Sequence, residues 1–406
     1  MSDLRPRGAD RHAMPPAARH GRLRSSGPVG TVLKYLAAAL AVVLVSAGAV
    51  TAYAVWDVAR SIKPGVALIG ETEGPPPNIG AYEGGVNFLL VGSDSGQGDP
   101  QYGKRGETLN DVTILLHISA DHTNATVVSF PRDMFVTLPE CPRLDGKGNY
   151  PSWTTKLNES LANGGLACTV QTVTDLTGLT IPFAAKIEFN GVIEMANAIG
   201  GVEVCVGSSI HDRQIGLNLS AGNHTISGWT ALQFLRSRYG VGDGSDLSRI
   251  SNQQVFLSAL VRKVKSAETL TDPIKVYGLA KAAISNMQLS RSLENVNTIV
   301  SIALALKDIA PENISFLQYP SGYGSFNGRD GVLPIKDAAD TLISAIKADL
   351  PVKLTGTTGD GSTVDTKVPT PVSTAPPLPG TVDLPSDVKG QSAAVTTCSK
   401  GQTAGG

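Results

Sequence analysis

The longest apolar run in the chain is YLAAALAVVLVSAGAVTAYAVW, uncharged from Tyr35 to Trp56. At about 1.5 Å of rise per residue a helix of this length spans roughly 33 Å, enough to cross a bilayer's hydrocarbon core. Tyr35, Tyr53 and Trp56 stand where interfacial aromatics belong. Residues 57–84, with SIKPG and EGPPPNIG, read as a Pro/Gly-rich spacer. The pattern then changes. Short apolar runs at 86–92, 111–118, 125–130, 184–189 and 202–206 predict strands. Helical spacing fits 156–163, 169–177, 190–199, 229–238 and 247–266 between and after them. Two more helices are expected within 273–309, a strand at 313–320 and a closing helix at 334–349. Strands alternating with helices predict an α/β fold with a central sheet. From about 352 the chain turns Thr/Pro/Gly-rich, which predicts a disordered tail over 352–406.

Charge sharpens this division. The 406 residues hold 34 Lys+Arg against 35 Asp+Glu, a net charge of −1, which excludes a bulk nucleic-acid binder. Residues 1–34 carry seven basic and two acidic side chains, or +5, so the rest sums to −6. That basic flank places residues 1–34 in the cytoplasm and everything after Asp57 outside, in a single-pass protein of the cell membrane. A cleaved signal peptide is the rival, with AGA and AYA as cleavage sites. Its apolar stretch would exceed the usual length, so an uncleaved anchor is preferred. Four cysteines suit the oxidising side of a membrane. Cys141 and Cys168 are candidates for a disulfide worth about 3 kcal/mol in the chain-entropy model. Cys205 and Cys398 could pair as well or stay free. The absence of any CxxC and the scatter of six His argue against zinc.

Four segments concentrate polar residues at the ends of apolar strands. NFLLVGSDS brings Asp94, and ETLNDVTILLHI brings Asp111. VVSFPRDMFVTLP holds Arg132 and Asp133 behind Pro131, on a backbone that proline constrains. In LQFLRSRYGVGDGSDLSRISNQQ, a helix starting near Ser245 would align Asp246, Arg249, Gln253 and Phe256 on one face. Arg236 and Arg238 would point apart on a continuous helix, so the chain must leave the helix there if both serve one ligand. Each segment alone has a plain alternative: an Asx-turn at Asp94, a solvated Arg132–Asp133 pair, a helix cap at Asp246. Together with Lys156, the arginines suit phosphate oxygens, and the carboxylates suit a hard cation such as Mg²⁺.

Taken in order, these segments and TKLNESLANGG, TDLTGLTIPF and FNGVIEMANAIGGVEV resemble the LytR-CpsA-Psr (LCP) family of membrane-anchored glycopolymer transferases over about 86–266. The cysteine-bearing ECP and GGLACTV are similar to its actinobacterial branch. The resemblance implies a mixed sheet flanked by helices, in an α/β/α arrangement around an apolar groove for a polyprenyl chain. It also implies a phosphotransferase that moves a glycopolymer from a polyprenyl-pyrophosphate carrier to a muramic acid hydroxyl of peptidoglycan, with pyrophosphatase activity as a side reaction. By that match Asp94 and Asp111 would hold Mg²⁺ or Mn²⁺ or activate the hydroxyl. Arg132, Lys156, Arg236, Arg238, Arg249 and Gln253 would bind the pyrophosphate. Asp133, Asn158 and Asp246 would support them. Partners would be the lipid-linked glycopolymer, peptidoglycan and membrane lipid, with no nucleic acid.

Two departures stand out. The arginine common after the first Asp-Ser is Gly96 here, and the common Arg-Ser-Asp-Thr reads Leu109-Asn110-Asp111-Val112. Lys104 and Arg105 in the same loop are candidate substitutes. A non-catalytic lipid-pyrophosphate-binding or wall-attachment factor is therefore the alternative. A transcriptional regulator is disfavoured, because only 34 residues would face the cytoplasm. The expected organisation is a stub (1–34), anchor (35–56), linker (57–84), catalytic domain (85–266), helical extension (267–351) and tail (352–406).

Overall fold

In the computed structural model the described residues are 28–71, 84–93, 108–369 and 378–402. Asp94, Gly96, Lys104 and Arg105 lie outside them, as does the stub before Pro28. Helix α1, Pro28–Ala59, contains the whole predicted anchor and is long and apolar enough to cross a membrane. The chain divides after Val55, and the second unit, from Trp56, is the folded domain.

The domain is built on Val86–Ser93 (β1), Asn110–Ile118 (β2), Ala125–Phe130 (β3) and the helix Gly165–Thr177 (α2). Phe183–Ile187 (β4), Phe189–Ala198 (α3), Val202–Val206 (β5), Gly228–Arg236 (α4) and Asp246–Lys265 (α5) follow. The C-terminal half adds Pro273–Asn286 (α6), Met287–Leu289 (β6), Val296–Lys307 (α7) and Ile314–Gln318 (β7). Last come the hairpin Ser321–Phe326 (β8) and Arg329–Pro334 (β9), the helix Lys336–Lys347 (α8), and the short strands Gly390–Ser392 (β10) and Thr397–Ser399 (β11).

The central sheet has seven strands in the order β6-β4-β1-β2-β3-β7-β10. It is mixed, with β4–β1 and β3–β7 parallel and the other four pairings antiparallel. The period-2 alternation of β1 sends Leu89 and Val91 into a core shared with Leu166, Val170, Leu342 and Ile346, from helices α2 and α8. Phe88 and Leu90 face the other way with Val112 and Leu116, toward Leu257, Ile299 and Ile302 of α5 and α7. Phe88, Leu90, Val112 and Leu116 are only half-buried there, and a cavity opens against Leu90 and Val112.

Three expectations change. Residues 267–351 are not an extension packed on a finished domain, since they supply β6 and β7 to the central sheet. The described part of the tail is ordered. β10 pairs with β7 as an edge strand, β11 pairs with β5, and Leu384 and Val388 are fully buried. Its composition is poor in apolar residues, but short strands that only edge existing sheets need few. The described part of the linker docks as well: Leu68 is buried and the Val66 N–H donates to Leu289 O at 2.8 Å. Residues 72–83 are outside the described set. Both cysteine pairs, Cys141–Cys168 and Cys205–Cys398, are disulfides.

Candidate functional site

The cavity against β1, β2 and β4 has a volume of about 380 Å³. Leu90, Val112 and Ile114 wall it on the sheet side, and Val192, Leu232, Leu257 and Leu260 on the helix side. Its mouth is of opposite character: Asp111, Arg132, Arg236, Arg238, Arg249 and Gln253 all line it. An apolar chamber ending in guanidinium groups suits a ligand with a long apolar body and an anionic head.

Helix α5 sets the mouth's spacing. Ser245 caps it, accepting from the Ser248 N–H at 3.2 Å, so the helix starts at Asp246. Asp246, Arg249, Gln253 and Phe256 thereby share one buried face, as their spacing predicts. Arg249 Nη2 donates to Asp246 Oδ1 at 2.5 Å and to the Asp111 carbonyl at 3.0 Å, while Nη1 lies 3.7 Å from Asp111 Oδ1. Arg132 donates to the same Asp111 oxygen. Its Nε lies 3.5 Å from Asp133 Oδ1, which in turn faces Lys156 Nζ at 3.7 Å. The Asp133 N–H reaches Asp246 Oδ2 at 3.4 Å. The result is a continuous wall of alternating charge. Burial works against the charge on Arg132, but the Asp111 and Asp133 carboxylates outweigh it and raise the pKa, so the cation is fixed. Nε of both Arg132 and Arg249 is buried without a hydrogen-bond partner among the described residues. Both Nε groups are enclosed within the charged wall.

Arg236 and Arg238 are separated as the sequence required. Helix α4 ends at Arg236. Arg236 lies over the Phe189 ring at 4.4 Å, and Arg238 Nε donates to the Gly244 carbonyl at 3.1 Å. The anchor of this break is Asp212. Its Oδ2 accepts from Ser237 Oγ at 3.0 Å, the Arg238 N–H at 3.2 Å and the Gly240 N–H at 3.3 Å. A Cβ at position 240 would come within 2.9 Å of the Asp212 Cβ, so glycine lets the loop close on the carboxylate. Sequence reading missed Asp212 because its partners lie 25 to 28 residues further on. Phe189 was missed because an aromatic at a helix start reads as ordinary core.

Other residues move from their expected places. Gln253 lines the mouth, yet its amide donates to the Leu235 carbonyl at 3.0 Å, and Asn252 donates to Phe234 at 2.6 Å. Both tie α5 to the open C-terminal end of α4. Lys156 and Asp133 do not line the apolar cavity but a separate polar cleft beyond the charged wall. Asn158 is buried, and its N–H holds the Arg132 carbonyl at 3.0 Å. Leu109 leaves no cation at its position. With the side-chain amide of Asn110 turned to satisfy its neighbours, the nitrogen meets Asn158 O at 2.6 Å and the oxygen accepts from Thr113 Oγ1 at 2.8 Å. That residue therefore serves the backbone. Of the two carboxylates expected to hold a divalent cation, Asp111 lines the mouth, where it is paired with Arg132 and Arg249, and Asp94 lies outside the described residues.

Fold and site together define an α/β protein with an apolar chamber closed by an arginine-rich anion clamp. Residues 67–347 match the LytR-CpsA-Psr family model, and the chain belongs to that family. It is 30% identical over 268 residues to the cell wall biosynthesis protein LcpA of Corynebacterium glutamicum, covering 59% of this chain and 51% of that protein. The chain thus spans about half the length of that relative. It is 26% identical to the polyisoprenyl-teichoic acid–peptidoglycan teichoic acid transferase TagT of Bacillus subtilis, over 71% of this chain and 87% of that one. Among solved structures, the LytR-Csp2A-Psr enzyme from Actinomyces oris shares the fold with a TM-score of 0.52 at 20% identity, covering 70% of this chain and 96% of that chain.

Proposed function

We propose that this protein is a membrane-anchored phosphotransferase that moves a glycopolymer from a polyprenyl-pyrophosphate carrier to a peptidoglycan hydroxyl during cell wall assembly. The observation that carries this reading is the junction of the apolar chamber with Arg132, Arg236, Arg238 and Arg249. A polyprenyl pyrophosphate has that shape and charge order. Each buried methylene of its chain contributes about 0.8 kcal/mol, while bidentate guanidinium contacts bind the phosphates. The names of the relatives point the same way: TagT is a teichoic acid transferase and LcpA a cell wall biosynthesis protein.

In this reading the guanidinium groups of Arg132, Arg249, Arg236 and Arg238, all lining the mouth, bind the phosphate oxygens of the head group. Asp246 holds Arg249, and Asp111 bridges Arg132 and Arg249. Asp111, with Asp94, the residue that follows β1 in the sequence, would hold Mg²⁺ or Mn²⁺. Such an ion neutralises charge that develops on the transferring phosphoryl group. Helix α1 crosses the cell membrane with the basic stub inside and the domain outside. There the pyrophosphate bond, rather than ATP, supplies the driving force. Phosphoryl transfer asks mainly for positioning and charge neutralisation, which this clamp provides.

The test is occupancy. The full chain, purified from membranes in detergent, is expected to carry a polyprenyl phosphate or pyrophosphate detectable by mass spectrometry of its extracted lipid. Replacing Leu232, on the chamber wall, with Trp should remove that lipid. A wild-type protein that carries none and does not take up added polyprenyl pyrophosphate would contradict the reading.

A further inference from the structure

The charged wall has two sides. Beyond it from the apolar chamber lies an open cleft of about 550 Å³, lined by Asp133, Lys156, Asp246, Tyr323, Ser325 and Asp330. Arg238 lines both spaces. One flank of the cleft is the β8–β9 hairpin, which turns on Asn327 and Gly328, both at positive φ. The hairpin is fixed to the clamp. The Val332 N–H donates to the Asp133 carbonyl at 3.1 Å, and the Phe326 and Phe135 rings pack 5.5 Å apart. Tyr323 is 59% exposed, unusual for so large a ring, and its hydroxyl donates to Asp243 Oδ2 at 3.4 Å. An accessible aromatic face among carboxylates and hydroxyls suits a sugar, whose ring has an apolar C–H face and a polar rim.

Phosphoryl transfer adds a direction. Attacking and leaving oxygens lie roughly in line across the phosphorus. If the leaving polyprenyl phosphate sits in the apolar chamber, the attacking hydroxyl must arrive from the opposite side of the wall. We infer that the Tyr323 cleft is the acceptor site, binding a carbohydrate strand and presenting one of its hydroxyls to the phosphorus. This rests on the transferase reading above. The hydroxyl oxygen forms the new P–O bond as the bridging P–O bond to the carrier phosphate breaks. That electron pair leaves with the polyprenyl phosphate, and the hydroxyl proton passes to the Asp133 carboxylate in the cleft. The donor's own glycan stays bonded to that phosphorus as an equatorial substituent and is carried to the acceptor with it.

The experiment titrates the full chain in detergent with three probes. These are a soluble tetrasaccharide of alternating N-acetylglucosamine and N-acetylmuramic acid, farnesyl pyrophosphate, and a farnesyl-pyrophosphate-linked disaccharide. The expected result is that Y323A weakens tetrasaccharide binding roughly tenfold, while Y323F, which keeps the ring, binds like the wild type. An unchanged or absent tetrasaccharide affinity overturns the inference. So does a Y323A loss confined to the lipid-linked disaccharide, because the cleft would then belong to the donor glycan. A wild-type chain that binds the tetrasaccharide but not farnesyl pyrophosphate would instead sink the transferase reading and leave the sugar site standing.

Discussion

Arg249 is the most tightly bound cation of the clamp, its side chain 7% exposed against 23% for Arg132. Removing it does two things at once. A clamp donor is lost, which typically costs 10²–10³ in rate, and Asp246 stays buried without its partner, a loss of about 3–5 kcal/mol. Arg249→Ala is therefore expected to lower both transfer and melting temperature, and Arg249→Lys to recover stability better than activity, because an ammonium cannot reproduce the fork. Kinetics and calorimetry on both variants check this. Asp212 acts through the backbone. Asp212→Ala strands the Ser237 hydroxyl and the Arg238 and Gly240 amides. It should raise KM for the lipid donor about tenfold, with Asp212→Asn recovering most of it because an amide oxygen still accepts. Equal KM in wild type and Asp212→Ala would refute that positioning role. At this scale the sequence was unevenly informative. Asp246 and Arg249 were readable from helical spacing and Arg132 from its strand-ending proline, because those cues are local. Asp212 and Phe189 become meaningful only through chain reversal.

Among elements, α5 joins the most parts of the site. Its first turn carries Asp246 and Arg249, its middle ties down α4, and its outer side is covered by the C-terminal strap. Gln391 Nε2 donates to the Gln254 carbonyl at 3.1 Å, Ser399 Oγ to Asn252 Oδ1 at 2.5 Å, and Arg262 Nη1 to the Ala393 carbonyl at 2.7 Å. The Cys205–Cys398 disulfide fastens the strap beside β5. The C205S/C398S double variant should lose about 2–5 kcal/mol of stability, read as a fall in denaturation midpoint. If wild type under reducing conditions and the double variant both melt like the oxidised protein, the strap does not depend on this link. The strap's ordering could not be read from composition, since Thr, Gly and Pro dominate it. What orders it is close backbone approach: a Cβ on Gly390 would meet the Phe316 carbonyl oxygen at 2.1 Å. The strands of the sheet were legible instead, because the apolar runs read at 86–92, 111–118 and 125–130 coincide with β1, β2 and β3 to within one residue.

For the whole molecule, the proposed topology explains the separation of charge noted in the sequence: a basic stub, an uncharged helix and a mildly acidic exterior. At the domain's first residues Asp57, buried, accepts from Arg60 Nε at 2.9 Å and from Tyr277 and Lys281 of α6. With the domain outside, all four cysteines would be oxidised in cells. A thiol-reactive reagent applied to intact cells without reductant should leave them unlabelled, and labelling of all four would place the domain in the cytoplasm. In the proposed function the clamp transfers phosphate as well as binding it. The most direct test of this supplies the full chain with Mg²⁺, peptidoglycan and a carrier-linked glycan radiolabelled at the sugar-proximal phosphate. The expected result is label fixed to peptidoglycan in phosphodiester linkage, one polyprenyl monophosphate released per bond formed, and neither product from Arg249→Ala. A protein that binds the carrier yet leaves every label on it would contradict the account and mark the chain as a binding factor.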